Sequence, residues 1–245
     1  MKKTILITGS SRGIGAATAR LAHKQGYEVI VHGRTISAEL RAIHDELAGS
    51  IPTHFDIADK AETHKAIAAL IEQVGTIDVL VNNAGMGYAG ITDISEIDDE
   101  KATQEYRVNV LGTLHCIQAV LPAMLKQKSG VVVSISSIKG QPNLATMSSL
   151  TYAASKAGVI SLTKALAKAY PKIRFNSVSP GYVKTDMAAS WNEETFDRIN
   201  SGTILGRIAK PEEIAPLVLF LASGEASCIT GIDILADGGY AIKGK

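Results

Sequence analysis

The chain has 245 residues, with 25 Lys and Arg against 24 Asp and Glu, so its formal net charge is +1 at pH 7. This length suits one α/β domain with a large core, and the balanced charge gives no reason to expect a nucleic-acid or membrane partner. The two cysteines form no CxxC pair, which argues against a disulfide scaffold and a cysteine-rich zinc site and suits a reducing compartment. The short apolar run after Met1-Lys2-Lys3 does not fit a signal peptide, so we expect a cytoplasmic location. No apolar stretch approaches the length that we expect of a membrane span.

The first predicted elements are a strand over residues 4–8, a glycine turn and an alanine-rich helix to about Gln25. The turn has the form G-x-x-x-G-x-G through Gly9, Gly13 and Gly15. Glycines let the backbone turn sharply and approach a pyrophosphate, whose charge the amides at a helix start favour. The spacing differs from the G-x-G-x-x-G fingerprint, so a turn without phosphate is the alternative.

The second predicted strand, residues 28–33, ends in His32-Gly33-Arg34 and has no acidic residue there. Enzymes that use NAD often place an acid at this point, whereas an arginine accommodates the 2′-phosphate of NADP. Arg12, in the glycine turn, supplies a second guanidinium for phosphate. NADP(H) is therefore favoured, and the alternative is that both arginines are surface charges.

Polar residues end the next two predicted strands, which span residues 51–55 and 78–81. Asp56 follows the third strand, where a ligand's adenine would lie in an open parallel sheet. Asn82-Asn83-Ala84-Gly85 follows the fourth, and side-chain amides there could hold a turn through local hydrogen bonds. Helices are predicted over residues 37–48 and, capped by Asp59, from there to about Val74.

Residues 101–128 are mainly helical and apolar in pattern, with Asn109 in the middle. A buried polar side chain must find partners, so Asn109 either ties a neighbouring backbone group or holds a water near a site. The fifth strand, residues 130–135, closes on Ser136-Ser137, where a hydroxyl could donate to a substrate oxygen. Ordinary turn serines are the alternative.

A helix over residues 150–170 carries Tyr152 and Lys156 one turn apart on one face. A fixed positive charge beside a phenol favours the phenolate and lowers its pKa from ~10. Such a tyrosine can give a proton to a carbonyl oxygen or take one from an alcohol. The alternative is a half-buried packing tyrosine beside a solvated lysine.

The sixth predicted strand, residues 173–178, is followed by Pro180 and Gly181, and then by Thr185, which offers a hydroxyl to a carboxamide. Residues 187–205 have weak periodicity and are interpreted as a mobile substrate lid of one or two short helices.

A last helix beginning at Lys210-Pro211 and a seventh strand over residues 229–235 complete the pattern. Strands that alternate with helices predict an α/β, doubly wound Rossmann fold with a seven-stranded parallel sheet and helices on both faces. With no repeat or linker, residues 1–245 are expected to form one domain that binds a dinucleotide and carries out catalysis.

In this order, the motifs resemble those of the short-chain dehydrogenase/reductase family, and within it most resemble the 3-oxoacyl-[acyl-carrier-protein] reductase group. The family resemblance rests on Thr8-Gly9-(x)3-Gly13-Ile14-Gly15, Asn82-Asn83-Ala84-Gly85, Asn109, Ser137, Tyr152-(x)3-Lys156 and Pro180-Gly181. The group resemblance rests on residues 180–187 and 229–239, segments that sugar, polyol and steroid enzymes share.

The resemblance implies a role for each catalytic candidate. Tyr152 would be the general acid/base, Lys156 would lower its pKa and hold the nicotinamide ribose, Ser137 would orient the carbonyl and Asn109 would hold a relay water. Asp56 and Asn83 would line the adenosine half, and Thr185 would meet the carboxamide. The implied cofactor residues are Gly9, Ser11, Arg12, Gly13, Ile14, Gly15, Arg34, Asp56, Ile57, Asn83, Ala84, Gly85, Tyr152, Lys156, Pro180, Gly181, Val183 and Thr185.

One spacing departs from the family pattern, because Ser137 precedes Tyr152 by fifteen residues and the intervening loop is longer than usual. Ser137 is kept as the catalytic serine because Ser136-Ser137-x-x-Gly140 fits the family's strand end. Ser149 and Ser136 are its rivals.

The resemblance thus implies an NADP(H)-dependent oxidoreductase that interconverts a ketone and a secondary alcohol, without a metal, as a homotetramer. A 3-oxoacyl-[acyl-carrier-protein] reductase acting on an acyl thioester is one candidate, and a sugar, polyol or steroid dehydrogenase is the alternative. Outside the family, the rivals are a non-catalytic dinucleotide sensor and a methyltransferase.

Overall fold

A computed structural model describes residues 2–185 and 191–243 of the chain. Its seven strands form one parallel sheet in the order β3-β2-β1-β4-β5-β6-β7. The order reverses between β1 and β4, and ligands of open α/β sheets bind in the crevice at such a point, outside the carboxyl ends of the strands. The strands are β1 (Thr4–Ile7), β2 (Glu28–Gly33), β3 (Ile51–His54), β4 (Val79–Asn82), β5 (Val131–Ile135), β6 (Arg174–Pro180) and β7 (Asp233–Ala236).

Helices cover both faces of this sheet, as the side chains of β1 show. Ile5 and Ile7 belong to a core with α1, α2 and α8, whereas Leu6 belongs to a second core with α3 and α5. All three side chains are fully buried, as expected of a parallel strand between two helical layers. The predicted doubly wound Rossmann fold is therefore confirmed. The helices are α1 (Gly13–Lys24), α2 (Ala38–Glu46), α3 (Lys60–Val74), α4 (Asp99–Tyr106), α5 (Thr113–Gln127), α6 (Leu150–Ala169), α7 (Glu193–Gly202), α8 (Pro211–Ala222) and α9 (Tyr240–Lys243).

The end of the chain differs most from the predicted element bounds. β6 runs on to Pro180, which pairs with Ala236, and β7 begins only at Asp233. The predicted start at Ile229 is wrong. The carbonyl of Ile229 accepts a hydrogen bond from the side chain of Asn176, at 2.9 Å, and not from the backbone of a neighbouring strand. Apolar composition alone does not distinguish this loop from a strand.

The long apolar segment before β5 is continuous but not uniform. α4 and α5 are joined by a π-helical turn, Arg107–Gly112, that contains Asn109. Contrary to expectation, the run Asp99–Gln127 is long and apolar enough to span a bilayer by length and composition, with 44% of the tested window buried inside the protein. Its buried side chains pack on the sheet and α3.

Part of the predicted lid is described. α7 begins at Glu193 and is capped by Asn192, whose side chain accepts from the backbone N–H of Thr195 at 2.9 Å. One short helix thus stands where one or two were predicted, and residues 187–190 of the predicted lid lie outside the described residues.

Candidate active site

The glycine turn after β1 has a backbone that side chains would not permit. Gly9 and Gly13 have φ of +63° and +57°, in the left-handed region. At Gly15, an added Cβ would stand 2.5 Å from Asn83 Nδ2. α1 begins here with Arg12 at its N-cap and no side-chain cap, so its first N–H groups face the sheet edge with a partial positive charge. The turn therefore fits a phosphate group.

Asn83 joins the ends of β1 and β4. Its Nδ2 donates to the carbonyls of Thr8 and Gly9, both at 2.9 Å. In return, the backbone N–H groups of Asn83 and Ala84 donate to Thr8 Oγ1 at 3.0 Å. The predicted turn-holding amide is thus present, but its bonds cross between strands instead of staying local. The neighbouring Asn82 amide is buried without a hydrogen-bond partner among the described residues.

His32 is a structural member of this edge that the sequence analysis missed. Its Nδ1 accepts from the N–H of Gly9 at 3.1 Å, and its Nε2 lies 2.9 Å from the carbonyl of Phe55. These partners assign the ring proton to Nε2. Burial lowers the pKa of His32 to about 4. In the sequence, the feature that could have revealed this role is a histidine that interrupts the apolar run of β2, directly before Gly33.

The two predicted phosphate arginines, Arg12 and Arg34, are both exposed and follow β1 and β2 at the same edge. The pKa of Glu39, near the start of α2, is lowered chiefly by a hydrogen bond from Ser37 and further by the charge of Arg12. The charge of Arg12 thus acts on the start of α2, the helix that follows Arg34 in the chain.

The third strand end places Asp56 half-buried at the same edge, with Oδ1 accepting from the N–H of Ala58 at 2.9 Å. Ile57 is buried and packs against Gly112, where an added Cβ would meet its Cγ1 at 2.7 Å. Asp56 thus borders the crevice, whereas the Ile57 side chain belongs to the core.

Lys156 is buried within α6, with only 5% of its surface exposed. Its Nζ donates to the carbonyl of Ile135 at 2.9 Å and lies 5.8 Å from the centroid of the Tyr152 ring. An added Cβ on Gly85 would stand 3.3 Å from that Nζ, so the loop after β4 passes directly beside the amine. Burial lowers the pKa of Lys156 to about 8.

The predicted lowering of the Tyr152 pKa is wrong in this structure. Burial of the phenol raises its pKa, and the negative charge of Glu105 raises it further. Hydrogen bonding with Ser137 acts in the opposite direction but does not outweigh burial. The Lys156 amine instead donates to the carbonyl of Ile135. At neutral pH the phenol is therefore protonated and is a proton donor.

Of the three candidate serines, Ser137 is the one that interacts with the Tyr152 phenol. The hydroxyl of Ser136 donates to the carbonyl of Lys156 at 2.8 Å, and Ser149 Oγ lies 3.1 Å from Thr146 Oγ1. The longer loop before α6 therefore does not bring Ser149 into the place of Ser137.

The side chain of Asn109 fastens the loop after β4 to α6. Its Oδ1 accepts from Met86 N at 2.9 Å, and its Nδ2 donates to Met86 O at 2.8 Å and to Ser155 Oγ at 2.9 Å. The hydroxyl of Ser155 donates to the carbonyl of Tyr152. Of the two roles predicted for Asn109, the structure therefore shows the first, in which the side chain hydrogen-bonds a neighbouring backbone group. π-helical turns are frequent at functional sites.

The segment after β6 returns over the glycine turn. The N–H of Gly181 donates to the carbonyl of Ala236 at 3.0 Å, and Val183 forms an isolated bridge with Ala209. An added Cβ on Gly13 would lie 3.3 Å from Thr185 Cγ2. Thr185 therefore faces the glycine turn across the crevice.

Four aromatic rings, missed by the sequence analysis, form a cluster beside this segment. Tyr182 packs edge-on against Trp191 and Tyr240, with centroids 5.6 and 5.2 Å apart, and Trp191 packs on Phe196 at 5.6 Å. Lys139 Nζ, two residues beyond Ser137, lies 6.0 Å from the Tyr182 ring. This aromatic cluster therefore borders the side of the site away from the glycine turn.

Taken together, the described residues provide a phosphate-shaped turn and a protonated phenol at one edge of the sheet. The remaining predicted positions, Ser11, Ile14 and Pro180, lie within the glycine turn, the start of α1 and the end of β6. Within the described ranges, no group of three or more His, Cys, Asp or Glu side chains is arranged to hold a metal ion.

Comparisons with known proteins agree with this geometry. A family model described as enoyl-(acyl carrier protein) reductase matches residues 9–241. A 3-oxoacyl-[acyl-carrier-protein] reductase from Thermotoga maritima is 37% identical, over 98% of both chains. A meso-2,3-butanediol dehydrogenase from Serratia marcescens is 36% identical, over 97% of this chain and 94% of its own. A gluconate 5-dehydrogenase from Burkholderia cenocepacia, solved with NADP and tartrate, superimposes with a TM-score of 0.91 at 29% identity, covering 98% and 96% of the two chains.

Proposed function

The chain belongs to the short-chain dehydrogenase/reductase family, oxidoreductases that act on CH–OH donors with a nicotinamide dinucleotide, and on this premise we propose an NADP(H)-dependent carbonyl reductase. Its reaction interconverts a ketone and a secondary alcohol. The observation that carries the proposal is the Tyr152 phenol, held beside Ser137 and Lys156 at the carboxyl edge of the sheet.

The pKa values indicate the direction of the proton. A phenol with a raised pKa stays protonated at pH 7, so Tyr152 donates to the oxygen of a bound ketone. The Ser137 hydroxyl hydrogen-bonds the same oxygen and orients the carbonyl. The dinucleotide, when bound, supplies the hydride to the carbonyl carbon. Lys156, buried one turn from Tyr152 and beside the loop after β4, is placed to hold the nicotinamide ribose, as the family resemblance implies.

The residues present fit a phosphorylated dinucleotide. The uncapped start of α1 and the left-handed glycines suit the pyrophosphate. Two exposed arginines follow neighbouring strands, Arg12 after β1 and Arg34 after β2, and no acidic residue ends β2 to bind the ribose hydroxyls. The similar gluconate 5-dehydrogenase from Burkholderia cenocepacia was solved with NADP. These points support NADP(H) over NAD(H) in this chain.

For the substrate, we propose a 3-oxoacyl thioester as the first candidate, because relatives from two genera are named 3-oxoacyl-[acyl-carrier-protein] reductases. The butanediol and gluconate enzymes among the similar proteins keep diols, sugars and polyols as the alternative. An NADPH-oxidation screen of acetoacetyl thioesters beside sugars, polyols and cyclic ketones separates them by kcat/KM.

We further propose a homotetramer, because two separate surfaces expose apolar side chains. On the first, α4 and α5 expose Tyr106 and Leu125, and the π-helical turn exposes Leu111. Near the other end of the sheet, Ile232 and Leu235 are 44% and 40% exposed. Two distinct faces that each pair with the same face of another copy would give a closed assembly of four chains. Sedimentation at micromolar concentration should show four chains, and a clean monomer would contradict this.

We also propose the cytoplasm as the location, since a reducing compartment suits the free cysteines Cys116 and Cys228.

The test of the reaction is Tyr152→Phe, which keeps the ring that packs on Gly87 and removes only the hydroxyl. We expect NADPH binding, followed by its fluorescence, to be unchanged, and kcat to fall by about 100-fold to 10,000-fold, the usual contribution of general acid catalysis. Tyr170→Phe, just past the other end of the same helix, is the matched control. Turnover that survives Tyr152→Phe would remove the phenol from the reaction.

A further inference from the structure

Glu105, near the end of α4, is a fully buried carboxylate outside the set of residues discussed as catalytic. One oxygen, Oε1, accepts from the backbone N–H of Tyr88 at 2.5 Å, and the other, Oε2, accepts from the hydroxyl of Thr151. Among residues 2–185 and 191–243, this carboxylate takes part in no ion pair. Burying a charge costs free energy unless the charge is well hydrogen-bonded, so a buried carboxylate such as Glu105 indicates a structural or functional role.

We propose that Glu105 is a positioning residue for proton donation by Tyr152, holding in place the two chain segments between which the phenol lies. This inference rests on the proposed function, because it assigns Glu105 a part in the same reaction.

The first segment is the start of α6. Thr151 directly precedes Tyr152 in the first turn of that helix, so a hydrogen bond from its hydroxyl to Glu105 fixes the turn that carries the phenol. The Thr151 hydroxyl therefore connects the carboxylate to the residue next to the proton donor.

The second segment is the loop after β4. Tyr88, whose N–H donates to Glu105, follows Gly87, and an added Cβ on Gly87 would stand 2.8 Å from Cδ2 of the Tyr152 ring. Asn109, four residues after Glu105, holds Met86 in the same loop through both its amide atoms. Two polar side chains of one helical run thus hold the loop on either side of the glycine that touches the phenol ring.

The charge of Glu105 acts on the same phenol, since it raises the pKa of Tyr152. The other charged groups nearby are engaged elsewhere: Lys156 donates to the carbonyl of Ile135, and Lys101 pairs with Asp98 at 3.6 Å and lies 5.8 Å from the Tyr88 ring. The other ionisable groups on the elements around Glu105 are the half-buried Tyr88 and the exposed side chains of Glu96, Asp99, Glu100, Tyr106, Arg107, Lys164 and Lys168. The carboxylate therefore favours the protonated phenol, the form that donates the proton to the ketone oxygen during reduction.

The test is Glu105→Gln, which keeps the shape and removes the charge. The direct readout is tyrosinate absorbance against pH, taken as the difference between Glu105→Gln and the same variant with Tyr152→Phe, and compared with the corresponding difference in the wild type. We expect the titration of Tyr152 to move down by about 0.5 to 1 pH unit, as for removal of a nearby like charge. The basic limb of the pH profile for ketone reduction should move down with it.

Glu100→Gln is the matched control, because it removes the same charge from an exposed position on the same helix and should leave both curves in place. Thr151→Val retains the carboxylate and loses one of its two donors. We expect it to lower kcat for reduction about tenfold at an unchanged affinity for NADPH, in keeping with one lost hydrogen bond to a charged group.

The outcomes separate this inference from the proposed function. If no carbonyl compound is reduced but the Tyr152 titration still shifts in Glu105→Gln, the reaction is wrong and the electrostatic role of Glu105 holds. If ketones are reduced while Glu105→Gln moves neither the titration nor the pH profile, the inference is overturned. Should Glu105→Gln fail to fold, unchanged kcat in Thr151→Val overturns it instead.

Discussion

The two halves of the sheet edge are built by different means. On the glycine-turn side, Thr8, His32 and Asn83 hold the backbone through hydrogen bonds between strand ends. On the aromatic side, Tyr182 and Trp191 meet through ring contacts between separate segments. Hydrogen bonds to backbone groups allow one geometry, whereas ring contacts tolerate adjustment. Under the proposed function, the glycine-turn half would fix the shape of the cofactor site, and the aromatic half would adapt to different substrates without disturbing the sheet.

The largest effect is expected from Gly15→Ala, a substitution in the glycine-turn half, which its hydrogen bonds make the rigid half of the edge. The new methyl group would stand 2.5 Å from Asn83 Nδ2 and 2.9 Å from Ser10 Cα, so it must displace the turn. We expect a loss of about 3 kcal/mol in the free energy of unfolding, as for overpacking at a tight site, and NADPH binding weakened about 100-fold. Chemical denaturation and NADPH fluorescence measure these effects. Gly224→Ala, where the added Cβ meets nothing within 4 Å, should change neither.

A second effect, close in size, tests the same half through pH. His32 has a folded-state pKa of about 4, below its unfolded value of ~6.5, so the unfolded chain binds more protons between these values. Stability is therefore complete above ~6.5 and falls as the pH drops towards 4, by about 3 kcal/mol in total.

Urea denaturation between pH 7 and pH 4 measures this loss. His32→Gln should flatten the dependence, whereas His54→Gln, at an exposed position on β3, should largely preserve it. A His32→Gln protein that keeps the wild-type dependence would mean that another group is responsible.

Arg34→Ala tests the outer edge of the glycine-turn half. There an exposed side chain, and not a backbone group, would contact the dinucleotide. Loss of a charge-assisted contact to a 2′-phosphate should raise the KM for NADPH about tenfold to 100-fold and leave the KM for NADH nearly unchanged. Arg41→Ala, an exposed arginine on α2, is the control. Equal effects on both dinucleotides would show that Arg34 does not touch the 2′-phosphate.

The smallest effect is expected from Trp191→Ala in the aromatic cluster. Its loss removes the ring contacts with Tyr182 and Phe196, which should cost about 1 kcal/mol of stability. The KM for the carbonyl substrate should change several-fold while the dissociation constant for NADPH stays constant. Weaker NADPH binding would contradict the independence of the two halves.

The sequence predicted both the sheet and the placement of Tyr152 and Lys156. The order of strands and helices along the chain determines the sheet, and the helical repeat determines the placement of the two side chains. Alternating strands and helices allow few topologies. Two residues that are four positions apart on a helix lie on the same face. The spacing of Ser137 raised a doubt, which only the contacts of Ser136 and Ser149 answered.

What the sequence could not supply depends on burial and on contacts between distant segments. The raised pKa of Tyr152 follows from the depth of the phenol, and no motif reports depth. His32 and Glu105 find partners 23 and 46 residues away in the chain, at Gly9 and Thr151. The aromatic cluster likewise gathers from three segments, so no local pattern predicted it.

The π-helical turn Arg107–Gly112 makes this site sensitive to chain length in a way that side-chain changes are not. Such a turn holds a surplus residue relative to an α-helix, and each residue rotates a helix by ~100°. Deleting Arg107 or Val108, which lie between them, would turn Asn109 relative to Glu105, so the two could no longer hold the same loop. We therefore expect evolution and engineering to tolerate substitutions in this turn far better than a change of its residue count.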